Sequence, residues 1–200
     1  MSPQPYYYYY SNPPSGNVGS LAHLFAERSD VPMMRAFYFG MKQAQERFSR
    51  ECQTSDGRET KGIFDGLVKD KSGAFAFSDS ADHVEDFWEK AFSVKNKYGN
   101  SFLNVIAENN NILGLKVCLL LDMPIDMLGS KLGPLGNTAL HTCAAANQVD
   151  FLKFAADLLG SKNLLSGVLQ KKTHKEHLTP LGIARKQNSY AAIGYLTTLS

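Results

Sequence analysis

His141 and Cys143 stand two residues apart, the residue types of a general base beside a thiol nucleophile. His174 and His177 are three apart, close enough to share a metal ion, but Glu176 is the one neighbouring acid in a lysine-rich loop, too few ligands for a site. In the N-terminal half, His23, Cys52 and His83 are the residues a catalytic pocket would use, and no nucleophile–base pair is recognisable among them. Asp82, Glu85, Asp86 and Glu89 line the polar side of one helix and read as a solvated face. The chain carries no nucleophile elbow, Walker-type loop, Gly-x-Gly-x-x-Gly or His-Glu-x-x-His. The three cysteines, Cys52, Cys118 and Cys143, are odd in number and offer no CxxC, so they read as reduced thiols used as small core hydrophobes in a reducing, cytoplasmic compartment. No catalytic residue, metal or cofactor is assigned.

The elements that position these residues read as mostly helical. A length of 200 residues, 44% hydrophobic and 20% charged, suits a globular chain, and a formal net charge of +2 is too small to imply a nucleic-acid or membrane partner. No stretch approaches the roughly 18 apolar residues of a spanning helix, and no basic n-region precedes an apolar run as in a secretory signal. Residues 1–19, with four prolines and the run Tyr6 to Tyr10, form neither helix nor central strand and read as a disordered tail. Residues 20–94 read as a block of four helices. Ser20 caps the first, over 21–28, and Pro32 opens the second, over 32–52. The third covers 60–69, and a short extended piece follows at 75–77. The last helix, capped by residues 78–80, carries the stripe Val84, Phe87, Trp88, Ala91 and Phe92.

Residues 95–200 carry one pattern three times. Gly136-Asn137-Thr138-Ala139-Leu140-His141 leads into a small-residue helix, 142–146, and then an apolar helix, 149–159. Gly99-Asn100-Ser101-Phe102-Leu103-Asn104 and His177-Leu178-Thr179-Pro180-Leu181-Gly182 repeat its grammar at spacings of 37 and 41 residues. This resembles the ankyrin repeat family, with its unit of about 33 residues and Gly-x-Thr-Pro-Leu-His signature. The resemblance implies an all-α helical solenoid of about three repeats, with the excess length in loops between units and the helical N-terminal block capping one end. On it, Thr138 and His141 are hydrogen-bonding turn anchors and Cys143-Ala144 are core positions where the family has Ala-Ala. The first unit departs most, with Phe102 for Pro and Asn104 for His; the last has Gly182 in place of His.

The same resemblance implies a module that binds another protein through its concave face and loop tips. The tip residues are Lys95, Lys97 and Tyr98 in the first unit, Lys131 and Leu135 in the second, and Lys171, Lys172, His174 and Lys175 in the basic loop 161–176. Divergent repeats fused to a helical block also look like bacterial effectors delivered into a host cell, and some such proteins are enzymes whose N-terminal block modifies a substrate that the repeats select. The chain ends directly after an outer helix, as a piece of a longer protein would. No small-molecule substrate is expected.

Overall fold

The structure, a computed structural model, describes residues 21–27, 31–54 and 83–199. The proline- and tyrosine-rich tail, the helix expected at 60–69, the extended piece at 75–77 and the cap at 78–80 lie outside the described residues. Among those described, all regular structure is helical: α1 (Leu21–Glu27), α2 (Val31–Thr54), α3 (His83–Ser93), α4 (Phe102–Glu108), α5 (Ile112–Leu120), α6 (Ala139–Ala145), α7 (Val149–Ser161), α8 (Leu165–Leu169), α9 (Pro180–Gln187) and α10 (Tyr190–Thr198). Two 3₁₀ turns, Ile125–Gly129 and Pro134–Gly136, lie between α5 and α6.

Short helices alternate with helices that are mostly longer, and local chemistry sets each boundary. Ser101, Thr138 and Thr179 sit in extended backbone, and each side chain accepts a hydrogen bond from the backbone N–H three residues on. These caps satisfy amides that the first turn leaves orphaned, worth about 1 kcal/mol each. Thr138 thereby starts α6 at Ala139, three residues ahead of the small-residue run from which the sequence pattern placed the helix. Asn110, Asn147 and Asn188 adopt left-handed φ of 53°, 59° and 58° in the turn after each short helix, a conformation asparagine tolerates better than most residues.

Packing falls into two rows. α4 packs between α1 and α6, and α6 between α4 and α9; α2 packs on α5, α5 on α7, and α7 on α10. Ala139, Cys143 and Ala144 of α6 are all fully or almost fully buried, and their small side chains permit the close approach of α4 and α9. At the N-terminal end the aromatic stripe of α3 behaves as its periodicity predicts. Phe87, Trp88 and Phe92 are buried, with the Phe92 and Trp88 rings 4.7 and 6.3 Å from Phe102, while Phe37 of α2 approaches the same ring at 5.9 Å. Burial of each such side chain stabilises by about 1.5–3 kcal/mol. Trp88 Nε1 donates to the Leu121 carbonyl at 3.2 Å, so the indole is not left with an unsatisfied donor.

The unequal spacings have a different origin from the one the sequence suggested. The left-handed turns that follow α5 and α7 lie at Asp122 and Asn163, and the intervals 122 to 136 and 163 to 177 are equal. The four extra residues belong to α7, 13 residues long against 9 in α5, an added helical turn. Segment 161–176 is therefore no insertion: it begins in α7, contains α8, and matches the preceding connection in length.

Candidate functional site

His141 is the most constrained ionisable group near the centre of the molecule. It is fully buried; Nδ1 accepts from the Thr138 N–H at 3.2 Å and lies 2.8 Å from the Thr138 hydroxyl, while Nε2 donates to the Leu178 carbonyl at 3.0 Å. Acceptance at Nδ1 and donation from Nε2 select one neutral tautomer. Burial is the main cause of a pKa pulled down to about 4; the carbonyl bond at Leu178 opposes it, and Lys131 adds a small push in the same direction as burial. Neither ring nitrogen reaches Cys143, whose thiol donates to the Leu140 carbonyl and is pushed well above its ordinary pKa by burial. A neutral, fully engaged imidazole and a protonated thiol do not form a nucleophilic pair.

His23 makes the same bond at the other end of the chain. It is buried, its Nε2 lies 2.9 Å from the Asn100 carbonyl, and burial lowers its pKa. Asn100 stands as far before Ser101 as Leu178 does before Thr179, so the two histidines grip equivalent carbonyls. The sequence signal for it is Ser20-Leu21-Ala22-His23, laid out like Thr138-Ala139-Leu140-His141. Its distance from the other motifs conceals it. The side chains of Cys52 and His83 lie outside the described residues. His174 and His177 are exposed, and the described residues contain no group of three or more His, Cys, Asp or Glu side chains placed to hold a metal ion.

Further bonds tie each helix pair to the next at matching positions. Asn110 Oδ1 accepts from the Phe151 N–H and Asn147 Oδ1 from the Ala192 N–H, at 2.9 and 3.0 Å. Asn111 Nδ2 donates to the Ala26 carbonyl, Gln148 Nε2 to Glu108, and Ser189 Oγ to Ala145, at 3.1, 2.9 and 2.9 Å. Of these polar residues only Gln148 figures in the sequence reading, as the start of an outer helix, although Asn110 and Asn147 are 37 residues apart like Gly99 and Gly136.

The expected tip residues divide into two classes. Lys95, Lys171 and His174 are fasteners. Lys95 Nζ donates to Phe92 and Leu132 carbonyls, and burial of its ammonium lowers its pKa to about 8 although the side chain as a whole is exposed. Lys171 Nζ donates to the Gly129 carbonyl at 2.8 Å. The His174 N–H donates to the Leu135 carbonyl at 2.7 Å, and its ring lies so close over Gly136 that a Cβ there would meet it at 2.6 Å. Lys97, Lys131, Lys172 and Lys175 are exposed, Lys97 standing over the half-buried Tyr98 ring at 5.2 Å. Glu176 is ion-paired with Lys186.

Leu135 occupies the turn Pro134–Asn137, closed by the Asn137 N–H on the Pro134 carbonyl at 3.2 Å. Leu135 and Gly136 carry φ of 58° and 74°, the pattern of a type I′ turn, in which asparagine, aspartate and glycine predominate. Among the described residues no helix is long and apolar enough to cross a membrane. The sequence matches no protein-family model and no curated protein.

Proposed function

We propose that this chain is a protein-binding module built as an ankyrin-like solenoid, with its partner lying across the loop tips. The observation that carries this reading is the recurrence of one hydrogen-bonding scheme along the chain. His23 and His141 grip the next connection, Asn110 and Asn147 hold the next long helix, and Ser101, Thr138 and Thr179 cap the short ones. The pair α1–α2 joins this scheme through His23 and Asn111, so the stack counts four helix pairs, with α3 covering Phe102 beside the first two. Stacked pairs leave rigid rows of connections on one side, a platform on which a partner meets side chains whose backbone is already fixed. Delivery into a host cell as an effector remains part of this proposal, resting on resemblance alone.

The experiment is affinity capture with the chain and with Lys172→Glu/Lys175→Glu, read by mass spectrometry. Both lysines are exposed and have no ion-pair partner among the described residues. The expected outcome is loss of captured proteins at unchanged melting temperature. Capture that survives reversals at Lys97, Lys131, Lys172 and Lys175 together rejects the tips as the binding surface.

A further inference from the structure

We infer that the tip row is shaped for an acidic protein segment that carries an apolar side chain, seated at Leu135. The inference rests on the reading of the tips as the partner surface and names what they take. Segments 95–98, 130–136 and 170–177 contain Lys95, Lys97, Lys131, Lys171, Lys172 and Lys175 against the single acid Glu176. Glu176 is already claimed by Lys186, and Lys131, Lys172 and Lys175 have no carboxylate partner among the described residues. The surface therefore offers uncompensated positive charge in a molecule whose net charge is only +2. Such a patch steers and selects carboxylates.

The three tips form one row. A Cβ at Gly99 would meet Pro134 at 3.6 Å, Lys95 bonds the Leu132 carbonyl, and the His174 amide bonds the Leu135 carbonyl. Leu135 stands in the middle of this row, 42% exposed. A single exposed leucine is ordinary on a protein surface. A leucine held exposed in left-handed backbone is not, because the turn would be relaxed by asparagine or glycine, and nothing in the core gains from the side chain. Tyr98 on the neighbouring tip adds a half-buried aromatic edge with Lys97 across its face. Cations around an aliphatic centre match carboxylates around an apolar residue. Nucleic acid fits this arrangement less well, since a phosphate chain makes no use of Leu135.

The test selects a random peptide library displayed on phage against the full chain. The expected result is enrichment of Asp and Glu flanking one large apolar residue. An enriched peptide, labelled and titrated, should lose about tenfold or more in affinity with Leu135→Asn, and more with Lys131→Glu/Lys172→Glu/Lys175→Glu. Asparagine suits the turn, so Leu135→Asn should hold or raise the melting temperature, which separates lost binding from lost folding. The inference is overturned by enrichment of neutral or basic peptides, by no enrichment, by affinity indifferent to Leu135→Asn, or by equal displacement with polyuridylate RNA. If protein capture depends on the tip lysines while acidic peptides do not enrich, this inference fails and the binding module stands. If capture ignores the tips, both fail.

Discussion

Two buried histidines and the half-buried Glu108 tie stability to pH in opposing senses. His141 and His23 have pKa values lowered by burial, so between the folded value and the ordinary 6.5 the unfolded chain binds more protons than the folded one. Their contribution is complete above pH 6.5 and is lost as pH falls toward about 4 for His141. Glu108, at the end of α4, runs the other way: burial, reinforced by the nearby Glu27, raises its pKa from 4.5 to about 7. Here the folded chain binds the extra proton, so the penalty is absent below pH 4.5 and complete above 7. Glu108→Gln should accordingly melt higher than the unaltered chain at pH 8, with the two curves converging at pH 4.5. A pH series of melting temperatures by circular dichroism decides it, and a gap that does not shrink on acidification refutes the assignment. Of these residues the sequence pointed to His141 as an anchor through its motif. Glu108 was illegible, because its burial depends on how α4 meets its neighbours.

The helices themselves were largely readable, the turns between them less so. Periodic apolar residues give α2 and α3, an apolar run gives α7, and the small-residue run gives the body of α6. Capping sets the start of α6 earlier than the pattern does, and the excess length expected in the loop lies in α7, which runs to Ser161 where the pattern ends it at 159, since a helix extended by four residues keeps the same face inward and leaves no break in the pattern. The asparagine turns went unread because a polar residue after a helix end looks like any loop residue. Their value is measurable. Asn147→Ala should cost about 2 kcal/mol in urea unfolding, from left-handed strain and the lost cap on α10, whereas Asn147→Gly should cost about 1 kcal/mol. Asn188 has the same backbone, but its side chain caps no helix among the described residues, so Asn188→Ala should lose only the strain part, about 1 kcal/mol. Equal losses at Asn147 and Asn188 would mean that the inter-pair bond contributes nothing.

At the scale of the molecule, the proposed stack has each described helix pair leaning on its neighbours, so damage should stay local. His23→Ala removes the grip of α1 on the Asn100 carbonyl. Hydrogen exchange should then accelerate in 21–54 and around Trp88 while 139–196 keeps its protection; uniform acceleration along the chain would instead show a single cooperative unit. Which of the expected tip residues fasten the fold is not legible in the sequence. Lys95 and Lys171 are indistinguishable from Lys131 and Lys172 until their ammonium groups are seen on carbonyls. The longer α7 has a last consequence. On the repeat reading proposed above, the step from 37 to 41 residues is one coil of helix, so the spatial beat is kept while the numerical one is lost. A fixed period would drop out of phase at that coil, and the regularity proposed for the stack is written in geometry and only approximately in the count of letters.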